Sequence, residues 1–157
     1  MSDLYLTLKL LHIIGAAVLF GTGLGIAFFM WMANRSGDPA AIAHTARIVV
    51  IADAIFIATA VVVQPVTGWA MAVLVGYSLF HAWIVASLVL YVMVGLCWLP
   101  VVAIQMQLRD LAAAAARDGT PLPQRYFELY RTWFWLGWQA FSGVIAIFAL
   151  MLWKPQL

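Results

Sequence analysis

Charge is the scarcest feature of this sequence. Asp, Glu, Lys and Arg make up 9% of its 157 residues, against roughly 25% in a soluble domain. With 66% hydrophobic residues, the chain lacks the polar groups to cover its own surface. That excludes a water-soluble globular domain and leaves the lipid bilayer as its solvent. Cys97 is the one cysteine, which excludes an internal disulfide. Histidine occurs three times, as His12, His44 and His81. The formal net charge of +2 is too small to mark a nucleic-acid-binding surface. The period-2 alternation of an outer-membrane barrel is missing. So are Walker, HExxH, GxSxG and zinc-ligand spacings.

What the chain does have is apolar runs of the length that crosses a bilayer, about 20 residues. Four are legible, with helices over about 4–33, 44–75, 79–118 and 124–153. The third carries a cytoplasmic extension and the fourth an amphipathic lead-in. Backbone exposed to lipid must satisfy its own hydrogen bonds, so each run is read as a helix. The fold expected is all-α, a four-transmembrane-helix antiparallel bundle forming one integral membrane domain over 1–157. NRSGDP at 34–39 ends the first helix, GYS at 76–78 is a short turn, and TPLP at 120–123 separates the last two helices. Pro100 is expected to bend the third helix.

The basic residues set an orientation. Arg35, Arg47, Arg109, Arg117, Arg125 and Arg131 are six of the eight Lys and Arg residues, and all flank the 1–2 and 3–4 loops. The positive-inside rule places those loops in the cytoplasm. The expectation is a multi-pass protein of the bacterial inner membrane with both termini periplasmic. A cleaved signal peptide is not read at the N-terminus: the first run is too long, its early charge is Asp3, and no small-x-small site follows. Trp31 and Trp133, with Trp135 close by, are expected at the inner interface, and Trp69, Trp83 and Trp153 at the outer one. Trp98 and Trp138 are expected inside the bundle.

An ionisable side chain within a span costs about 2.5–3.5 kcal/mol on insertion scales, so each one marks a candidate site. Tyr5, Lys9 and His12 share one helix face, which Gly15 and Ala16 continue. At 1.5 Å per residue His12 lies about 12 Å along the helix, in the outer leaflet. A neutral imidazole is a common metal ligand. Small neighbours would leave a slot for a porphyrin, with Lys9 near a propionate. The alternative has Lys9 snorkelling to the headgroups and His12 making one interhelical hydrogen bond. Both readings stand at this level. His81 is either a second ligand or an interfacial residue, with Met71 and Met93 as weaker second ligands. His44 lies a membrane thickness from His12, so a four-histidine diheme arrangement is not supported.

Ala17, Gly21 and Gly25, with Gly23 beside them, form a row of small residues expected to pack against another helix. Asp53 and Gln64 are placed on one face of the second helix. Arg35 or Arg109 is the expected partner of Asp53, with a proton relay as the alternative. Gln64 lies at about the depth of His12 and joins the candidate cofactor site, while Pro65 frees a backbone carbonyl near Val61 to line a cavity. Trp83, Ser87, Tyr91, Trp98 and Gln105 form one stripe on the third helix, read as core. With Gln64 and Tyr91 a quinone site is a further alternative. Gln139, Ser142 and Gly143 are expected to form a polar notch facing the bundle.

The ordered set LKLLH, GTGLG, QPVTGW, LYVMVGLCWLPVV and QMQLR resembles a family of predicted bacterial four-helix integral membrane proteins of unknown function, over nearly the whole chain. More distantly, the first helix is similar to HemJ-type protoporphyrinogen oxidases and CopD-like membrane proteins. In the HemJ type a first-helix histidine is implicated in haem b ligation, and His12 matches it. The HemJ-type arginine falls here on Leu24, and its third-helix lysine has no counterpart in HAWIVASLVLY. The resemblance therefore implies haem binding and does not extend to protoporphyrinogen oxidation. The function expected is an integral inner-membrane protein binding haem b, with a redox or electron-transfer role and a membrane redox partner. A non-enzymatic membrane assembly or small transport subunit without a cofactor is the alternative. The lipid bilayer is a partner in either case, and self-association through helix faces is expected; nucleic acid is not.

Overall fold

The computed structural model describes residues 3–155. They form five α-helices and one π-helical turn: α1 (Asp3–Ser36), α2 (Pro39–Ala52), the π turn (Asp53–Ile57), α3 (Ala58–Val75), α4 (Ala82–Asp118) and α5 (Gln124–Trp153). α2, the π turn and α3 make one continuous rod. Four helices are thus long and apolar enough to cross a membrane. The all-α antiparallel bundle is the architecture observed.

Each boundary has a local cause. The Asp38 carboxylate accepts from the backbone N–H groups of Ala40 and Ala41 at 3.0 and 3.3 Å. Pro39 occupies the first turn, where its missing N–H costs nothing. The second rod therefore begins at Pro39, earlier than the hydropathy alone indicates. Gly76 ends α3 in the left-handed conformation, φ 77°. The N–H of Tyr77 then reaches back to Ala72 O at 2.9 Å, closing the last turn. Gly119 ends α4 the same way, with Thr120 N–H on Ala115 O at 3.0 Å.

Packing is uneven along the bundle. The end holding the α1–α2 and α4–α5 connections, the connection end, contains a continuous core. Met30, Ile42, Leu108 and Tyr126 are completely buried there. Ala46 and Ala112 are also fully covered, as small side chains that let helices approach closely. α4 packs against α2 and α5, and α1 against α2 and α3. Phe20 of α1 stacks on Phe141 of α5, centroids 4.7 Å apart. Toward the end holding the termini, the terminus end, burial thins to Gly15, Thr67, Ile84, Ser87 and Val144.

Several expected placements are corrected. Trp133 does not face an interface: it is buried in the core. Trp138, expected inside, is 54% exposed on the outer surface of α5. Gln139 and Ser142 face outward too, and of the expected notch Gly143 alone turns inward, against Val94 of α4. Among the described residues the first part of the small-residue row on α1 is left uncovered, while Gly23 and Gly25 are half-buried. Ala17 and Gly21 are exposed, and a Cβ at Gly21 would meet nothing within 4 Å. In each case hydropathy identifies membrane residues but does not distinguish lipid from a neighbouring helix, which are equally apolar.

The core assignment on α4 is directly checkable. Leu108→Ala should lower stability by about 2–5 kcal/mol in detergent-denaturation titrations. Leu96→Ala, at a side chain 65% exposed on the same helix, should stay within about 0.5 kcal/mol of the parent. Equal losses at both would contradict the direction in which α4 faces.

Candidate functional site

Two polar clusters lie inside the apolar bundle. The first is built on the π turn. Asp53 is 2% exposed, and its Oδ1 accepts from Trp98 Nε1 at 2.9 Å. The side-chain amide of Gln105, oriented with its nitrogen toward Asp53, donates to Oδ2 at 2.6 Å. In that orientation the Gln105 oxygen accepts from Trp133 Nε1 at 3.2 Å. One carboxylate thus ties the second rod to α4, and through Gln105 to α5. The expected arginine partners are not there. Arg109 pairs with its neighbour Asp110 at 2.7 Å, and Arg35 lies over the Trp31 ring. Arg35 is held in the last turn of α1, and Arg109, four residues beyond Gln105 on α4, is engaged by Asp110. Neutral N–H donors take the place of a cation.

The second cluster lies in the α1–α3 seam, toward the terminus end. His12 Nδ1 is 2.8 Å from Thr67 Oγ1. Thr67 Oγ1 also reaches Val63 O at 2.7 Å and Gln64 O at 3.2 Å. A hydroxyl has one proton, and both carbonyls can only accept. With that proton on Val63 O, Thr67 accepts from His12, so the network assigns the Nδ1–H tautomer. The lone pair of Nε2 has no hydrogen-bond partner among the described residues. Gln64 Nε2 donates to the backbone carbonyl of His12 at 2.8 Å, so Gln64 fastens the helix that carries His12.

The small residues around His12 admit these side chains. A Cβ on Gly15 would come within 2.5 Å of Gln64 Nε2, and a Cβ on Gly68 within 3.3 Å of His12 Cε1. The slot expected beside His12 is therefore taken up at Gly15 by the Gln64 amide. The carbonyl that Pro65 releases does not line a cavity either. Val61 O accepts a hydrogen bond from the hydroxyl of Tyr91 on α4. Lack of an N–H at Pro65 thus supplies a tertiary contact.

The remaining candidates lie apart from this seam. Lys9 is exposed and forms no ion pair among the described residues. His81 precedes α4 and donates through Nδ1 to Ser78 O at 2.6 Å, its ring edge-on to Tyr77. Met93 faces outward, and Met71 is half-buried. No three His, Cys, Asp or Glu side chains among the described residues group as a metal site. Thr67 and Gln105 were not singled out as site residues by composition or periodicity. The signal available for Gln105 was its polarity within an apolar stripe; Thr67 gave none, since threonine is common in spans.

Two measurements test these clusters. Asp53→Leu leaves the Trp98 and Gln105 donors unpaired and should cost about 1–3 kcal/mol for each. Asp53→Asn, which keeps an acceptor, should lose less in the same denaturation assay. Equal stability of the two variants would count against the network. In the second seam, Gly15→Ala should cost about 1–3 kcal/mol through collision with Gln64. Its loss should shrink in a Gln64→Ala background, a non-additivity that a double-mutant cycle reads directly. Simple additivity would remove the collision as the reason for glycine.

The comparisons with known proteins bear on the whole chain. A family described as predicted integral membrane protein (DUF2269) matches residues 6–155. No curated protein and no solved structure matches the chain.

Proposed function

The chain belongs to that family of predicted integral membrane proteins, and on this premise we propose that His12 would supply the imidazole that holds the iron of a b-type haem. The observation that carries the proposal is the fixed imidazole. Metal-ligating histidines commonly donate the other ring N–H to an oxygen, which sets the tautomer and ring orientation. His12 donates Nδ1–H to Thr67 and keeps the Nε2 lone pair free. The donor chemistry at His12 therefore fits one coordination position.

The other residues act around that position. Thr67 orients the ring, and Gln64 holds the backbone of His12 against α3. The space beside Gly15 is taken by the Gln64 amide, so Nε2 of His12 is the atom that would hold the group. Lys9, one turn nearer the N-terminus and without an ion pair among the described residues, is the cation available to a propionate. His81, Met71 or Met93 would have to leave its present surroundings to become a second ligand. A bound b-type haem supplies one-electron chemistry, and a membrane redox partner would exchange electrons with it. The basic connection end faces the cytoplasm of a bacterial inner membrane under this reading, with the termini and His12 toward the outside.

A second reading is favoured by the same seam. Gln64 to His12 O and His12 to Thr67 are cross-helix hydrogen bonds of the kind that join membrane helices. On that reading His12 is helix glue in a non-enzymatic assembly or small transport subunit without a cofactor.

The visible spectrum separates the two. Protein purified in mild detergent, with and without added haemin, should show a Soret band that His12→Ala abolishes. Thr67→Val should retain the helical circular dichroism while lowering haem occupancy or shifting the band. No Soret band after haemin addition, or full occupancy in His12→Ala, leaves the helix-glue reading standing.

A further inference from the structure

The surface of α5 presents polar groups to lipid that are met, among the described residues, only by a long Cys97 Sγ contact to Gln139 Oε1. Gln139, Ser142 and Trp138 are all exposed. They are spaced to fall on one face of the helix. Among the described residues Gln139 Nε2, Ser142 Oγ and Trp138 Nε1 have no hydrogen-bond partner. The nearest polar approach is Cys97 Sγ, 4.0 Å from Gln139 Oε1. Gln139 lies about 12 Å along the helix from Arg131 and about 22 Å from Lys154, the nearest charged residues on either side, at 1.5 Å per residue. That places it within a hydrocarbon layer about 30 Å thick. Acyl chains offer neither donor nor acceptor, so these groups are unsatisfied wherever lipid covers them.

We infer that this face of α5 packs against the same face of a second copy of the chain. Two copies inserted with one topology are related by an axis along the membrane normal, so each residue meets its counterpart's depth. A closed pair is isologous, matching one patch to itself. A primary amide is suited to that constraint, because it carries both a donor and an acceptor. Two Gln139 side chains facing each other across the axis exchange reciprocal N–H···O=C bonds. Ser142, one turn along, likewise carries both functions, and the exposed Trp138 ring flanks the contact. A second copy supplies a matched amide at this depth by symmetry. The inference does not depend on haem binding, since His12 lies in the α1–α3 seam.

The test uses the full chain in liposomes. A Cys97→Ala background carries Ser142→Cys, or Val62→Cys on the lipid-facing side of α3, 63% exposed. Copper-phenanthroline oxidation should convert Ser142→Cys to a dimer of twice the chain mass, and Val62→Cys should remain monomeric. Gln139→Leu should weaken dimerisation about 5- to 30-fold when single-molecule photobleaching is followed against protein density. Circular dichroism of each variant confirms folding. Monomers at every density, equal cross-linking at both positions, or an unchanged Gln139→Leu dimer would overturn the proposal. Cross-linking of Ser142→Cys to a different protein would overturn it as well.

Discussion

A buried carboxylate without a cation organises the packed half of this bundle. Asp53 has both oxygens occupied by N–H donors from α4, one indole and one amide. A polar group placed in an apolar interior is costly unless it is hydrogen-bonded, so Trp98 and Gln105 must keep their positions. Trp133 is then held by the far side of the Gln105 amide. Three of the four membrane-spanning helices meet at one side chain. The apolar core of Met30, Ile42, Leu108 and Tyr126 closes over the connection end of that junction. Lipid outside is as apolar as the core, so directional polar contacts help decide which helix faces turn inward.

The π turn is the backbone counterpart of this junction. Asp53 opens it, and the N–H of Ala58 bonds back to Asp53 O, five residues earlier. The wider turn changes the direction in which later residues face. Before it, α2 packs on α4; after it, α3 packs on α1. Asp53 and Gln64, which a regular helix places on one face, therefore serve different neighbours. Asp53 binds α4, and Gln64 binds the His12 carbonyl of α1. The Pro65 gap works similarly, since the carbonyl it frees at Val61 is taken by Tyr91. Backbone irregularities in the second rod thus become its links to the rest of the bundle.

The proposed His12 site lies in the more open half. The His12 ring is fixed through one nitrogen while the other stays free, an arrangement that serves ligation and helix pairing alike. The seam's glycines have a packing reason independent of any ligand, because Gly15 admits Gln64 and Gly68 admits the His12 ring. The α5 face differs in kind. There the Gln139 amide nitrogen, the Ser142 hydroxyl and the Trp138 indole have no hydrogen-bond partner among the described residues, which is why a second copy is proposed to supply the complement.

The sequence by itself determined the four apolar rods and their breaks at Gly37, Gly76 and Gly119. Span length follows from bilayer thickness, and capping follows from local backbone chemistry, so neither needs a neighbour. It also singled out His12, Asp53 and Gln64, because polar groups in lipid are costly wherever they point. Tertiary structure decided what each one touches. Trp98 and Gln105 rather than an arginine meet Asp53, Thr67 orients His12, and Gln64 fills the space beside Gly15. Trp133 went inward and Trp138 outward, and the Ala17–Gly21 row was left bare. These outcomes turn on the rotation of each helix about its axis. Hydropathy is nearly blind to that rotation in a membrane protein, because lipid and helix interior present the same apolar surroundings.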